Sequence, residues 1–344
     1  MKAVALTQLC RLELVEIATP RIRSPGDVLL KIEKVGVCGS DLHYFETGRI
    51  ASRQASFPFV LGHECSATVV ETGPAARRVR PGDQVAVDPA MSCFTCDQCR
   101  QGRPHTCRHL RFLGCPGEAD GCLSEYLVMP EPSLYPTRGQ LSPEQAALCE
   151  PLSIGIYAVK LAGLTAGMNI AILGGGPIGL CVLLAARRTG AGKIFLTDRV
   201  PERVSFARQA GADWTGNPDT EDVVNRVLTA SPEGLDLVFE CAGQQAALDQ
   251  GIELLKPGGR LVIVGIPREE RVAFHIDSLR RKEIAVVNVR RQNNCVSAAI
   301  EAVACGAIRP DFLVTHRYRP ETAQAAFETA AAYRDGVIKA LIEF

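Results

Sequence analysis

The sequence has no excess of charge of either sign. Its 344 residues include 38 Lys or Arg and 38 Asp or Glu, so the formal net charge is zero. A chain without net charge has no global field that would draw it to nucleic acid or to an anionic membrane. We therefore expect neither of these as a partner.

The sequence also lacks a long hydrophobic run and a secretion signal. No uncharged apolar stretch approaches the roughly 20 residues that a transmembrane helix requires. The first residues, Met1 to Arg11, contain no long apolar region followed by a small-residue cleavage site. Internal repeats, low-complexity tracts and long linkers are absent as well. The length predicts two domains with separate cores.

Cysteine is plentiful, with 14 residues. In a long chain without a secretion signal, cysteines are more often metal ligands or buried thiols than disulfides. We therefore expect a cytoplasmic protein.

The stretch from Asn169 to Asp198 predicts a nucleotide-binding unit. A short apolar strand leads into Gly174-Gly-Gly176-Pro177-Ile178-Gly179, and a helix and a second strand follow. This order of elements matches the dinucleotide fingerprint. The first glycine allows a tight turn, the second lets the backbone approach a pyrophosphate, and the third permits close packing of helix on strand. The alternative is a glycine-rich connection in an unrelated parallel sheet.

Asp198 ends the second strand, 19 residues after Gly179. An acidic residue at this place accepts a hydrogen bond from the ribose 2′-hydroxyl, which favours NAD over NADP. Arg199 and Arg203 lie close in sequence and could accommodate a 2′-phosphate, but the charge of Asp198 would repel one. We therefore expect NAD as the coenzyme.

Two short segments of the first half predict a catalytic metal site. Cys38 follows one predicted strand, and His63 and Glu64 precede another. Taken singly, a cysteine is usually a small core residue and a His-Glu pair a solvated strand end. Together they supply thiolate, imidazole and carboxylate, which suits a catalytic zinc that keeps a position for water or substrate.

Four cysteines, Cys93, Cys96, Cys99 and Cys107, lie within fifteen residues. Four thiolates can close a tetrahedron around one zinc and leave no open position, so this set predicts a structural site. Disulfides or an iron–sulfur centre are the alternatives. His105 and His109 could compete as ligands, but we interpret both as solvated loop residues.

The remaining pattern predicts a β-rich half followed by alternating strands and helices. The alternation indicates an α/β fold with a doubly wound parallel sheet. The helix that starts near Ser142 is expected to be interrupted at Pro151, which would place Glu150 at the junction of the halves. After the last strand of the sheet, Arg290 and Arg291 follow at a carboxyl end, where such sheets bind ligands. A solvated basic turn is the alternative for this pair. The chain then continues with a helix to Cys305, a short proline-containing segment, a further helix and a strand from Val337 to Glu343.

These motifs together resemble the zinc-dependent medium-chain dehydrogenases over nearly the whole chain, and most closely the sorbitol (polyol) dehydrogenase branch. The resemblance is carried by Cys38-Gly-Ser-Asp-Leu-His-Tyr44, Gly62-His63-Glu64, Glu150-Pro-Leu-Ser-Ile-Gly155, the Gly174 fingerprint and Phe239-Glu-Cys-Ala-Gly243. It implies a GroES-like catalytic domain made of residues 1–151 and 292–344. Residues 152–291 would form a Rossmann coenzyme domain, and the chain would assemble as a homotetramer or homodimer.

The resemblance also implies roles for individual residues. Cys38, His63 and Glu64 match the catalytic zinc ligands, and Glu150 matches an acid that ligates the metal directly or holds its water. Ser40 and His43 match the proton relay. Arg290 stands where the family has a pocket arginine, whereas Arg291 replaces the aromatic residue that is usual in polyol dehydrogenases. The resemblance further implies two zinc ions per chain, one catalytic and one structural. The substrate hydroxyl would lose its proton through Ser40 and His43, and the carbon that carries this hydroxyl would pass a hydride to NAD.

Several substrates fit this pattern. A secondary hydroxyl of a polyol is the expected one, and L-threonine or a sugar acid are alternatives within the family, since a second guanidinium suits a carboxylate. A zinc-containing NAD-binding protein without turnover is a more distant alternative. Such a protein would not need Cys38, Ser40, His43, His63 and Glu64 together.

Overall fold

The computed structural model describes residues 1–267 and 269–344. The chain divides into two compact units, which we call unit 1 (Met1–Glu150 and Val296–Phe344) and unit 2 (Pro151–Cys295). Among the described residues, no helix combines the length and the apolar character needed to cross a membrane.

Unit 1 is rich in strands, and its amino-terminal part contains twelve of them together with the helices that position the site. The strands are β1 Lys2–Gln8, β2 Arg11–Glu16, β3 Asp27–Gly36, β4 Arg49–Ile50, β5 Arg53–Gln54, β6 Phe59–Val60, β7 Glu64–Thr72, β8 Gln84–Val87, β9 Ala90–Met91, β10 Arg111–Phe112, β11 Tyr126–Pro130 and β12 Leu134–Pro136. The helices are α1 Gly39–Thr47 and α2 Asp97–Arg100, and a third helix, α3 Pro143–Ala162, begins here and continues into the residues of unit 2.

Unit 2 alternates strands with helices, as the sequence pattern predicts. Its elements are β13 Ile170–Leu173, α4 Pro177–Thr189, β14 Ile194–Thr197, α5 Pro201–Gln209, β15 Trp214–Gly216, α6 Val223–Ala230, β16 Leu235–Glu240, α7 Gln245–Leu254, β17 Leu255–Ile263, α8 Ile276–Arg281 and β18 Ala285–Asn288. The chain then returns to unit 1 with α9 Val296–Ala304, β19 Val314–Tyr318, α10 Ala323–Ala331 and β20 Lys339–Glu343.

The main sheet of unit 1 has seven strands and joins distant parts of the chain. Its order is β12-β8-β7-β3-β20-β19, and β11 also pairs with β3. Along β3, Val28, Leu30 and Ile32 are fully buried, because alternate residues of a strand face the same side. Phe327 of α10 is buried in the same core. The core of unit 1 is therefore built from both ends of the described chain.

The sheet of unit 2 is wholly parallel, with the strand order β15-β14-β13-β16-β17-β18. Successive strands proceed from β13 outward in one direction and from β16 outward in the other. The carboxyl ends of β13 and β16 therefore flank a topological switch point, where open α/β sheets bind ligands. The expected α/β fold with a doubly wound parallel sheet is confirmed.

The expected helix interruption at Pro151 is wrong, because α3 continues through this residue as one helix of 20 residues. Proline removes one N–H from the hydrogen-bond ladder, and the bonds on either side of it can persist. Leu148 and Leu152 are buried on either side of the proline, so packing holds both halves of the helix.

Candidate functional site

The thiol of Cys38, the imidazole of His63 and the carboxylate of Glu64 come together in unit 1, with ligand atoms within 4.8 Å of one another. Cys38 follows β3 and precedes α1, while Glu64 begins β7. The two strands are antiparallel neighbours, and their register places Gly36 opposite Glu64. A Cβ atom at Gly36 would collide with the Glu64 carboxylate, so glycine leaves the space that the carboxylate occupies.

His63 is held in place by Asp41, which the sequence analysis did not single out. Asp41 is buried, and its Oδ1 lies 3.4 Å from Nδ1 of His63. The same carboxylate accepts hydrogen bonds from the backbone N–H groups of Cys38 (3.0 Å) and Gly62 (3.2 Å). A carboxylate on one ring nitrogen fixes the orientation of a metal-binding imidazole and leaves the other nitrogen for the ion. The signal for Asp41 was its place three residues after Cys38.

The charges around His63 favour its protonated form in the metal-free chain. Burial alone would lower the pKa of His63, but the negative charges of Asp41 and Cys38 outweigh it and raise the pKa well above its ordinary value. A cation is therefore favoured at this position. A metal ion would replace the proton, since metal binding requires the neutral imidazole.

Glu64 forms an ion pair with Lys339 of β20, a residue that the sequence analysis also missed. Both residues are about 1% exposed. The Lys339 Nζ lies 2.8 Å and 2.6 Å from the two carboxylate oxygens of Glu64 and also donates to the carbonyl of Val37 at 3.1 Å. The available signal was a single charged residue within the otherwise apolar run Val337 to Ile342.

Glu150 is buried in α3, although a glutamate before a proline is usually solvated. The pKa of Glu150 is raised to about 8, mainly because burial removes the carboxylate from water; the charge of His63 opposes this rise and that of Glu64 adds to it. In the part of the chain that the structure describes, the clustered ligand group consists of Cys38, His63 and Glu64 without Glu150. Its direct or water-mediated role toward a metal stays a prediction.

Ser40 and His43 lie on α1, three residues apart, so they occupy the same side of the helix. The hydroxyl of Ser40 donates to the sulfur of Cys38 at 3.4 Å, which places it beside a candidate metal ligand. The carbonyl of His43 accepts a hydrogen bond from Thr47 at 2.7 Å. Their role as a proton relay stays a prediction.

The second cluster is formed by the four cysteines, whose sulfurs also lie within 4.8 Å of one another. The sulfur of Cys107 lies 3.4 Å from that of Cys93 and 3.9 Å from that of Cys96, and Cys96 and Cys99 are 3.6 Å apart. These distances are too long for disulfide bonds. Sulfurs at about 2.3 Å from a tetrahedral zinc lie about 3.8 Å apart, so the four side chains fit such an ion.

The environment of this cluster differs from one thiol to the next. Hydrogen bonds from Thr95 lower the pKa of Cys93 to about 5, whereas desolvation raises the pKa of Cys99 to about 12. The interpretation of His105 as a solvated residue is wrong, because its side chain is only 4% exposed within the short helical turn Pro104–Thr106. His109 is exposed, as expected.

The glycine-rich turn of unit 2 has the conformation that its sequence predicts. Gly174 has a φ of +110°, which glycine adopts without strain. Gly176 is the N-cap of α4 and Pro177 its first residue. A Cβ atom at Gly179 would collide with the carbonyl oxygen of Gly174, so only glycine permits this close approach. The N–H groups of the first helical turn, including that of Ile178, have no intrahelical acceptor and can meet an anion.

Asp198 is largely buried at the end of β14, beside the turn. Its oxygens accept hydrogen bonds from the N–H groups of Gly175 (2.7 Å) and Val200 (2.8 Å). Nη1 of Arg203 lies 3.8 Å from Oδ2 of Asp198. A Cβ atom at Gly176 would lie 3.5 Å from the same arginine nitrogen. Arg199 is mostly exposed and pairs with Asp219 at 2.7 Å. Of the two arginines, Arg203 is thus the one placed over the glycine-rich turn.

Arg290 and Arg291 lie in the connection between β18 and α9. Arg290 is exposed, and Arg291 is partly buried with a left-handed backbone, φ +56°. Exposure and backbone conformation do not show whether these arginines bind a substrate, so their role in the substrate pocket stays a prediction.

Comparison with known protein families identifies both parts of the chain. Residues 24–139 match the alcohol dehydrogenase GroES-like domain, and residues 177–304 match the zinc-binding dehydrogenase domain. The expected GroES-like and Rossmann architecture is confirmed by these matches together with the parallel sheet of unit 2.

Individual relatives cover nearly the whole chain. The sorbitol dehydrogenase of Bacillus subtilis is 34% identical over 343 residues, which are 99% of this chain and 97% of the relative. The L-idonate 5-dehydrogenase of Vitis vinifera is 34% identical and covers 89% of this chain and 85% of its own length. A zinc-binding dehydrogenase from Sinorhizobium meliloti, solved with bound NADP, superposes with a TM-score of 0.91 at 33% identity and covers 100% of this chain and 99% of its own.

The family matches, the length of the alignments and the two clusters of zinc-type ligands agree with one another. The chain is therefore an alcohol oxidoreductase that belongs to the zinc-dependent medium-chain dehydrogenases, within the sorbitol dehydrogenase-like group.

Proposed function

We propose that this enzyme oxidises a secondary hydroxyl of a polyol or related sugar alcohol to the ketone and transfers the hydride to NAD. The observation that carries the proposal is the convergence of Cys38 with the buried His63 and Glu64 in a chain that also has the dinucleotide turn. Relatives that act on sorbitol and on L-idonate support a polyhydroxylated substrate.

We assign the catalytic zinc to Cys38, His63 and Glu64, with Glu150 as an additional ligand or as the holder of a water, and a second, structural zinc to the four cysteines. A zinc ion bound by the first set supplies Lewis acidity that lowers the pKa of the substrate hydroxyl. Asp41 orients the imidazole of His63, and the burial of His63 and Glu64 keeps bulk water from them.

The proton of the substrate hydroxyl is assigned to Ser40 and then to His43. A hydroxyl can accept one proton while it donates another, so Ser40 can pass a proton along α1 without becoming charged. His43 carries an imidazole, a group that can accept and release a proton in general acid–base catalysis. The contact of Ser40 Oγ with Cys38 Sγ supports this assignment.

The coenzyme is assigned to unit 2, with its pyrophosphate at Gly174, Gly176, Pro177, Ile178 and Gly179. We propose NAD rather than NADP, because Asp198 would repel a 2′-phosphate and can accept from a 2′-hydroxyl. The NADP-bound relative and the position of Arg203 make NADP the alternative to be measured. The catalytic domain would comprise residues 1–151 and 292–344, the coenzyme domain residues 152–291, and the enzyme would be a homotetramer or homodimer.

A sugar acid is the second candidate substrate. Arg290 and Arg291 are neighbours in the sequence, and a guanidinium group binds a carboxylate in a bidentate manner. The relative that acts on L-idonate supports this alternative.

The test is NAD and NADP reduction, followed at the absorbance of the reduced coenzyme, across alditols, aldonates, simple secondary alcohols and L-threonine. Zinc content is measured on the same sample. We expect turnover of an alditol, two zinc ions per chain and loss of activity on chelation. Turnover of aldonates alone would replace the polyol by a sugar acid, and inactivity toward every class with both zincs bound would refute the proposed substrate class.

A further inference from the structure

Three loops meet at the carboxyl ends of adjacent strands in unit 2. The first is the turn at Gly174 after β13, the second is residues 241–243 after β16, and the third is residues 264–267 after β17. The first two flank the switch point of the parallel sheet, where ligands of such folds bind. Glu240, the last residue of β16, lies between the second and third loops.

Glu240 accepts hydrogen bonds from both of its neighbouring loops. Its carboxylate oxygen Oε1 receives the N–H groups of Ala242 at 2.8 Å and Gly243 at 2.6 Å. Its main-chain carbonyl receives the N–H groups of Val264 at 2.8 Å and Gly265 at 2.9 Å. One residue thus fixes the direction in which each of two loops leaves the sheet.

The loops are packed so closely that only glycine fits at three of their positions. A Cβ at Gly174 would lie 2.8 Å from the backbone nitrogen of Ala242, and one at Gly265 would lie 2.5 Å from the nitrogen of Gly243. Gly243 itself has a φ of +65°, and its Cβ would lie 2.5 Å from the carbonyl oxygen of Ile266. Because there is no free space, the path of loop 241–243 determines where the Gly174 turn can lie.

The burial of the second carboxylate oxygen of Glu240, Oε2, lowers the stability of the folded protein. Glu240 is fully buried, and Oε2 has no hydrogen-bond partner among the described residues. Burial raises the pKa of Glu240, and the backbone N–H groups of Gly243, Ala242 and Gln244 act in the opposite direction. An unpaired buried polar atom costs free energy. The residue is therefore not explained by core packing, for which an apolar side chain would serve better.

We propose that Glu240 is a positioning residue for the nicotinamide coenzyme. It holds loop 241–243 in one conformation against the Gly174 turn, so that the phosphate-binding turn is already formed before the coenzyme arrives. A preformed site loses less conformational entropy on binding and so binds more tightly. This inference rests on the proposed binding of the coenzyme in unit 2.

The test compares Glu240→Ala and Glu240→Gln with the control Asp236→Asn in the zinc-loaded enzyme. Asp236 lies at the other end of the same strand, where it also accepts a backbone N–H, that of Asn169 at 2.8 Å. The Kd of NADH, or of NADPH if it binds the wild type more tightly, is measured by fluorescence titration. Zinc content and the KM of the alcohol at saturating coenzyme are measured on the same preparations.

We expect Glu240→Ala to raise the coenzyme Kd at least tenfold, while zinc content and the alcohol KM stay within twofold of the wild type. Glu240→Gln keeps one oxygen acceptor and is expected to recover part of that loss, and Asp236→Asn is expected to leave the Kd within twofold. If the alanine variant does not fold, the Kd of Glu240→Gln decides, with a rise of at least threefold expected.

An unchanged Kd in folded Glu240 variants, or an equal rise in Asp236→Asn, would overturn the assignment while leaving the proposed function intact. A wild-type enzyme that binds neither coenzyme would instead refute the proposed function, and this inference with it.

Discussion

Lys339 and Glu64 show how a single contact can bear on a metal site. Both are buried, and the lysine nitrogen reaches both carboxylate oxygens of a candidate zinc ligand. The lysine ammonium group therefore already contacts both of the oxygens with which Glu64 could bind a metal ion. Lys339 and a metal ion both compensate the same negative charge.

We predict that Lys339→Met destabilises the zinc-free protein by about 3–5 kcal/mol, because it leaves a buried carboxylate without its cation. The loss should be smaller in the zinc-loaded protein, since a bound metal also compensates Glu64. Urea unfolding of both forms measures the difference. An equal loss with and without zinc would remove Glu64 from the ligand set.

Asp198 acts through two carboxylate oxygens that already accept backbone N–H groups. We predict that Asp198→Ala weakens the preference for NAD over NADP by about tenfold, which corresponds to roughly 1.4 kcal/mol, or one lost hydrogen bond. Steady-state kcat/KM with each coenzyme gives the ratio. Asp213→Asn is the control, because the carboxylate of Asp213 also accepts a backbone N–H, that of Ile194 (2.7 Å), but at the other end of β14; it should leave the ratio unchanged. A ratio unaffected in both variants would exclude Asp198 from the ribose site.

At the scale of single residues, the sequence predicts site residues that belong to short motifs, but it does not predict contacts between residues that are distant in the chain. Cys38, His63 and the four cysteines stand in short patterns whose chemistry can be recognised without a structure. Lys339 lies 275 residues from Glu64, so no local pattern links the two. Glu150 was placed at a boundary, but its burial could not be foreseen because it depends on what packs around α3.

At the scale of elements, the first turn of α3 is joined to β19 by a bidentate ion pair. Arg317 Nε lies 2.6 Å from Glu144 Oε1, and its Nη2 lies 2.7 Å from Oε2. The hydrogen bonds from Arg317 lower the pKa of Glu144. A lowered carboxyl pKa means that the folded state favours the charged form, so the pair stabilises the fold above the unfolded pKa and this contribution is lost as the pH falls.

We predict that Glu144→Gln lowers the free energy of unfolding by about 0.5 kcal/mol at pH 7, a small value because the pair is partly exposed. The difference from the wild type should disappear as the pH falls below 4.5, the ordinary pKa of the glutamate. Urea unfolding at a series of pH values measures it. A difference that persists in acid, where Glu144 is uncharged, would assign the effect to packing or uncharged hydrogen bonds rather than to the ion pair with Arg317.

The strands were predicted where burial leaves a pattern and missed where it does not. From Asp27 to Ile32, the buried residues of β3 alternate with partly buried or exposed ones, and the sequence predicts this strand. In β19, which falls in the predicted short proline-containing segment, only Val314 is buried. This strand is formed by backbone pairing with β20, and a strand with one buried side chain does not produce the alternating apolar pattern from which strands are predicted.

At the scale of the whole molecule, the four-cysteine cluster shares no residue with the group of Cys38, His63 and Glu64, and its expected contribution is to stability. We predict that Cys99→Ser lowers the zinc content from two ions to one and lowers the melting temperature markedly, since metal binding contributes directly to folding. Activity per zinc-loaded catalytic site should change less than stability does.

Cys305→Ser is the matched control, because Cys305 is an exposed thiol outside both clusters. Metal analysis and calorimetry on both variants make the comparison. A Cys99→Ser protein with two zinc ions and an unchanged melting temperature would contradict the structural assignment.

The pairing of β3 with β20 has a consequence for the synthesis of the protein. A ribosome makes β20 about 300 residues after β3, and all of unit 2 is made in between. At cellular translation speeds this interval is about 15–60 s. During that time residues 34–36 of β3 lack one neighbouring strand, and Glu64 lacks Lys339. All residues of unit 2 have been made before β20 is made, whereas the proposed zinc site acquires its last buried partner only after translation has passed Lys339.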